Sequence, residues 1–500
     1  MRQTGPDNGS VASGYCWTFG STALPLAGAF IVSLIVARAM GPRAAGLINW
    51  TMAVATVFLI IAKFGVEGAS SRLASEYQET SPEALPLLMR SGMILRLAFT
   101  LPTAAAAFLS AGVLAGFFGE PALRPLLRLG GLVIFSVSFN ELAALLLLGL
   151  GRFRFLFLTR LLTFSARVGL TAAAAYLAAG PAGVLWAYAA ASAVTAAAAF
   201  MRLPVGGRGA QPASGGAVTP RLLRLSSTLA ISGASVTIYS MLDKIMLGYF
   251  TTATEVGIYS MARNLLETSL FPTFALVMTL RPLLARAWAA GERRRCSSLV
   301  NSSLRGAIFY SACAVTVFAC LAGPLVTGLY SRSFAASARI LVLFTPLLVM
   351  RAVGSVILPG LIASDRAGTY AWLTLTGAVL NFVLNILLIP RYGATGAVVS
   401  TLISYMPIEI AGLLALSRRF EGIWSRPDTV SALKTAAISA AMIFLFRRFV
   451  PEPEGLAVAL LEAIALSSVL TVGLLASGAL RRSELGEFVA PLARAAGRRS

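Results

Sequence analysis

The 500-residue sequence has no histidine, four cysteines and only 20 acidic residues. Without histidine, imidazole-bound zinc and His-based acid/base or nucleophilic catalysis are excluded. Cys16, Cys313 and Cys320 fall inside apolar runs and Cys296 in a basic connection, so no pair reads as an extracellular disulfide or a CxxC centre. No segment has the form GxxxxGK[ST], so a P-loop for ATP is absent as well. No cofactor and no metal are expected, and the chain reads as a non-enzyme.

Charge is scarce too. Only 12% of residues are charged and 57% are apolar, with a mean hydropathy of +0.80, where soluble domains carry roughly 25% charged residues. The apolar residues come in blocks of about 18 to 28, the length needed to cross a hydrocarbon core of roughly 30 Å as helix. Backbone polar groups in lipid must be satisfied within the segment, so the blocks are predicted to be helices. The predicted fold class is an all-α integral membrane protein of about fourteen spans. Its polar start, MRQTGPDNGSVASG, runs into a full-length apolar span with no small-residue cleavage site, and is not expected to act as a signal peptide.

What charge there is leans strongly basic, at +21. In a soluble protein this balance would suggest nucleic acid. Here about 25 of the 41 Lys and Arg fall in predicted inner tails and loops if the N-terminus is inside, as the positive-inside rule requires. The expected orientation is therefore N-in and C-in in the inner or plasma membrane. Anionic lipid is the expected partner of Arg293 to Arg295 and of Arg418 and Arg419, and nucleic acid is not.

A weak internal repeat organises the spans. ARAMGPRAAGLINW around Gly46 resembles GYFTTATEVGIYSM around Gly257, an offset of 211. GLGRFRF at Arg152 resembles IASDRAGTY at Arg366, an offset of 214, and AAGPAGVL at Gly183 resembles RYGATGAVV at Gly396, an offset of 213. Six spans per copy return the chain to its starting side, so the copies share one orientation. The predicted organisation is an inner tail (1–16), a first six-span lobe (17–203), a Gly- and Pro-rich linker (204–220) and a second lobe (221–417). Two further spans (418–480) and an inner tail (481–500) follow. A duplicated bundle of this kind without extramembrane domains is what an alternating-access transporter requires, with its site near the midplane.

Ionisable residues inside spans carry the functional signal, because each costs about 2.5 to 3.5 kcal/mol at a helix centre. They are Glu141, Arg160, Arg167, Asp243, Lys244, Arg263, Glu267 and Arg351. Arg160 and Arg167 are two helical turns apart and share a face, while Arg263 and Glu267 form an i,i+4 pair able to neutralise itself. Lys63, Arg96 and Glu409 read as structural ion pairs or snorkelling side chains. Asn140, Asn381 and Asn385 read as interhelical hydrogen-bonding groups, and Pro25, Pro102, Pro272, Pro346 and Pro359 as sites of helix kinking.

Several stretches match a known pattern: SLIVARAMGPRAAGLINW and FGVEGASSRLASEY in the first half, then YSMLDKIMLGYFTTATEVGIYSMARNLLE, TLRPLLARAWAAGE and LNFVLNILLIPRYGATGAVVSTLISY in the second. From about Trp17 to Leu480 the chain resembles the polysaccharide and oligosaccharidyl-lipid flippases of the MATE-like superfamily, the Wzx-type O-antigen transporters. The resemblance implies two six-helix lobes around a central cavity and a lipid-linked oligosaccharide as cargo, with polysaccharide assembly proteins as further partners. The family's cationic cavity residues correspond by span and depth to Arg160, Arg167, Arg263 and Arg351. Asp243 occupies the span-seven Asp position, and Glu141, Lys244 and Glu267 join it as coupling or structural charges. Two rival cargoes remain open within the superfamily, lipid II and ion-coupled drugs, although drug exporters typically have twelve spans. A membrane glycosyltransferase or polymerase would need a large external loop, and every predicted external connection is short.

Overall fold

A computed structural model of the chain describes residues 8–203, 215–451, 453 and 455–480. Among these residues every regular element is helical: α1 (Asn8–Lys63), α2 (Val66–Thr80), α3 (Leu85–Phe117), α4 (Leu123–Gly149), α5 (Phe153–Tyr176), α6 (Gly180–Phe200), α7 (Gly215–Phe250), α8 (Ala253–Ser269), α9 (Phe271–Ala289), α10 (Arg293–Leu329), α11 (Ala335–Ala363), α12 (Ala367–Ser417), α13 (Arg426–Phe449) and α14 (Leu456–Ala476). The predicted terminal tails at 1–7 and 481–500, and residues 204–214 of the predicted linker, lie outside the described residues; α7 begins at Gly215.

Ten of the described helices are long and apolar enough to cross a bilayer, and two of these hold more than one crossing. The apolar part of α1, Phe19–Lys63, has 45 residues, or roughly 65 to 70 Å of helix, twice the hydrocarbon thickness. It breaks at Gly41 (φ 76°, ψ −177°), a conformation open to glycine and closed to residues with a Cβ, and Pro42 follows. Helix α12 breaks in the same way at Gly393 (φ 54°, ψ −134°). Helices α8 and α9 are long and apolar enough to cross only when taken together, bent by 40° around Leu270 with Pro272 in the first turn of α9. With the 36-residue α7, the chain is an all-α, multi-pass membrane protein of about fourteen helices. Pro25, Pro102, Pro346 and Pro359 lie inside helices that continue past them. The true breaks fall where glycine permits positive φ or where a span ends.

Positive-φ turns follow the sequence repeat. Gly151 (φ 64°) and Asp365 (φ 57°) end α4 and α11 at the offset of 214, and Gly180 (φ 61°) and Gly393 (φ 54°) keep the offset of 213. Two of the three repeated sequence turns are therefore repeated backbone turns, whereas Gly41 (φ 76°) has no positive-φ counterpart at Thr252.

The chain divides into two compact units, Met1–Gly257 and Ile258–Ser500. In the first, α4 packs on α6, α3 and α1, and α5 on α1 and α6. The amphipathic α2 buries Val66, Ala69, Ser70, Leu73, Ala74 and Tyr77 along one face, the spacing of a helix half in contact with protein. Helix α7 packs on α1, α2 and α3, joined at its start by an Arg221–Glu76 ion pair of 2.8 Å. In the second unit α10 packs on α11, α13 and α14, and α11 on α9 and α12. Large apolar side chains such as Leu109, Val113, Trp372 and Val472 point outward. That arrangement suits a hydrocarbon solvent and would be costly in water.

Arg293 to Arg295 form the first turn of α10, where the helix dipole disfavours cations. Two contacts offset this: the Arg293 guanidinium stacks 3.3 Å from the Trp288 ring centre and Arg295 pairs with Glu292 at 2.8 Å. Cys296, expected in a connection, is buried inside α10 because the helix starts three residues before it.

Candidate substrate-binding and ion-pair clusters

In the first unit, charged groups converge from α1, α4 and α5. Lys63, the last residue of α1, forms an ion pair with Glu141 of α4. The left-handed Phe64 and Gly65 turn the chain immediately afterwards, which leaves Lys63 pointing at α4 rather than continuing the helix. Arg160 of α5 lies within electrostatic reach of both Glu141 and Arg167. The two arginines expected to share a face act on each other, Arg160 toward Glu141 of α4 and Arg167 toward α6. Arg167 stacks over the ring of Tyr188 on α6, 4.3 Å from its centre, and one terminal nitrogen, Nη2, reaches Ser192 Oγ at 3.4 Å. Its Nε is buried with no hydrogen-bond acceptor. Lys63, Arg160 and Arg96 thus act on the single carboxylate of Glu141, and Arg167, beside Arg160, keeps one buried donor unfilled.

Arg96, fully buried, pairs with Glu67 of α2, donates to the Ala62 carbonyl at 3.3 Å and also acts electrostatically on Glu141. Asn140 accepts from Thr195 on α6 at 3.1 Å, a packing bond between helices. Asp243 is buried and Lys244 half-buried on α7.

The second unit holds a different balance. Arg263 of α8 donates through Nε to Glu267 at 2.9 Å and through Nη1 to Tyr259 Oη at 3.1 Å, the i,i+4 pairing expected from the sequence. Arg351, in the middle of α11, donates to Tyr405 Oη on α12 at 2.9 Å and feels the charges of Glu267 and Arg263. Its side chain is exposed, and an exposed guanidinium in mid-helix needs water or ligand at that depth. Glu409 lies close enough to Arg351 to interact electrostatically. In this unit Arg351 has Glu267 and Glu409 within electrostatic range, whereas in the first Lys63, Arg96 and Arg160 all act on Glu141. Asn385 donates to Asn381 at 3.1 Å, both fully buried on α12.

Among the described residues no group of three or more Cys, Asp or Glu side chains is arranged to hold a metal. The sequence reading missed Tyr188, Ser192 and Tyr405 as arginine partners. The i+3 and i+4 spacings of Arg351 to Gly354 and of Tyr405 to Glu409 were the available signal that these residues share faces.

A family model described as polysaccharide biosynthesis protein matches residues 11–288. The chain belongs to that family. A curated relative is the probable low-salt glycan biosynthesis flippase Agl15 of Haloferax volcanii, 23% identical over 184 residues; the match covers 37% of this chain and 39% of Agl15. The chain therefore aligns with about two fifths of that relative's length. Among solved structures, the lipid II flippase MurJ in an inward closed conformation matches with a TM-score of 0.74 at 15% identity, covering 93% of this chain and 99% of MurJ. An inward-facing multidrug resistance MATE family transporter of the MOP superfamily matches with a TM-score of 0.68 at 16% identity, covering 79% of this chain and 94% of the transporter. The family member shares the fold of both transporters.

Proposed function

We propose that the protein flips a polyprenyl-diphosphate-linked oligosaccharide from the inner to the outer leaflet of the cell membrane by alternating access, for assembly of a surface polysaccharide such as O-antigen. The reading is carried by the first unit's basic cluster, where Lys63, Arg160 and Arg96 all act on Glu141 and Arg167, beside Arg160, keeps a buried, unfilled Nε donor. A diphosphate supplies both missing elements, negative charge and acceptor oxygens, and a planar guanidinium takes two such oxygens at once. Family membership and the flippase named among the relatives support the same reading.

In this mechanism the headgroup leaves the inner leaflet, is held by Arg160 and Arg167, and is released outside while the polyprenyl tail stays in lipid. The chain makes and breaks no covalent bond. N-in, C-in topology would put the α10 arginines on the anionic inner surface. An inside-negative potential favours outward movement of an anion by about 2.3 kcal/mol per charge per 100 mV.

Purified protein in proteoliposomes should move a fluorescent undecaprenyl-diphosphate oligosaccharide across the bilayer, and Arg160→Ala with Arg167→Ala should slow it strongly. Unchanged flipping in the double variant would refute the assignment. A second reading, flipping of lipid II, is favoured by the match to MurJ over nearly all of both chains. Competition decides between them: lipid II should fail to slow oligosaccharide flipping if the first reading holds.

A further inference from the structure

Glu409 was expected to be a structural or snorkelling charge, yet it is buried, 7% exposed, in the interface of α11 and α12. Its Oε2 has no hydrogen-bond partner. The interface is close: a methyl on Gly354 would stand 2.4 Å from Glu409 Oε1 and 2.8 Å from Oε2, one on Gly360 2.5 Å from Leu416, and one on Gly412 2.9 Å from Ile357. The missing Cβ of Gly354 is what makes room for the carboxyl group.

The groups facing it are few. From α11 comes Arg351, whose hydrogen bond goes to Tyr405 Oη, not to the carboxylate. The first half of α12 brings Tyr370 within electrostatic range, and Tyr405 lies one turn back on the same face. From α8, Glu267 and Arg263 act on Arg351 rather than on Glu409. A buried carboxylate with an empty acceptor position and no donor aimed at it is costly as an anion. A proton removes that cost, and it also changes the unit's charge. With Glu409 ionised, its carboxylate acts on Arg351; with Glu409 neutral, Arg351 loses that counter-charge.

We propose that Glu409 is a proton-binding site, and that its proton is taken up together with an anionic phosphate headgroup at Arg351. The second half of the statement rests on the function proposed above. By linkage, each ligand tightens the other by the same factor. Proton uptake uncovers the charge on Arg351, and an anion engaging Arg351 withdraws the counter-charge that favours ionised Glu409.

Two measurements on the full-length protein in detergent test the two halves. Infrared spectroscopy should find a protonated carboxyl band that titrates away on going alkaline and is missing from Glu409→Gln. In Arg351→Gln the same band should persist to more alkaline buffer, because the favourable cation is gone; this variant keeps the test decisive if Glu409→Gln folds poorly. Farnesyl diphosphate should bind the wild type at least roughly fivefold more weakly in alkaline than in mildly acidic buffer, the lower range of coupling between sites. Glu409→Gln should bind it at the acidic wild-type level in both. A band unaffected by Glu409→Gln overturns the proton site, and an unchanged pH dependence of binding in Glu409→Gln overturns the linkage. A titrating Glu409 band with no diphosphate binding in any form overturns the linkage and the function together, while the proton site stands.

Discussion

Gly46 and Gly257, equivalent positions of the sequence repeat, pack against one another backbone to backbone. A methyl on Gly46 would lie 1.6 Å from the Ala253 carbonyl oxygen and one on Gly257 2.0 Å from that of Pro42. Neither overlap is with a side chain that can swing away, so the first turn of α8 and the turn after Gly41 touch only because both residues lack a Cβ.

Gly46→Ala and Gly257→Ala should each therefore destabilise the protein by about 1 to 3 kcal/mol, the usual cost of forcing extra volume into a packed site. Thermal unfolding in detergent checks it. Alanine at Gly116 or Gly323, where no neighbour lies within 4 Å of the added methyl, should leave the midpoint unchanged.

The Lys63–Glu141 pair should behave as a unit. Removing one partner strands the other between helices, so Lys63→Met or Glu141→Gln alone should cost about 1 to 3 kcal/mol, less than for a fully dry pair because both side chains are a quarter to a third exposed. The double variant should recover much of that loss in a double-mutant cycle. Additive losses would mean that the two groups do not depend on each other.

The span lengths, the repeat and the turns at Gly41, Gly151, Gly180 and Gly393 were legible in the sequence. A run of apolar residues reports its solvent directly, and a left-handed turn favours glycine. Partner choice was less legible. That Lys63 meets Glu141 depends on the left-handed turn at Phe64 and Gly65, and that Arg167 stacks on Tyr188 depends on how α5 rolls against α6. Glu409 was misjudged for a similar reason. Near the end of α12 a glutamate has the reach to snorkel, but its face is turned to Gly354, and only the packing of α11 reveals that the space there is open.

Arg167→Lys tests whether shape as well as charge matters at the basic cluster. Lysine keeps the charge but loses the flat face that stacks on Tyr188 and the buried Nε. Loss of about 1 to 2 kcal/mol of stacking and fork geometry corresponds to roughly 5- to 30-fold weaker binding of a diphosphate probe. Tyr188→Leu should produce the same direction of change while leaving every charge in place. Wild-type affinity in both would show that the cluster acts as point charges alone.

Membrane potential gives the last prediction. A sugar-linked diphosphate crossing outward carries about two negative charges, so a 100 mV inside-negative potential shifts its free energy by roughly 4 to 5 kcal/mol. In proteoliposomes with a potassium gradient and valinomycin, the outward-accumulated fraction of a lipid-linked diphosphate should rise steeply with imposed potential. Proton uptake at Glu409 in the same cycle would reduce the charge moved to about one and halve that dependence. Glu409→Gln, which carries no titratable proton, should then show the steeper response, and the ratio of the two slopes reads out the stoichiometry. Equal slopes would mean that the proton on Glu409 does not travel with the headgroup.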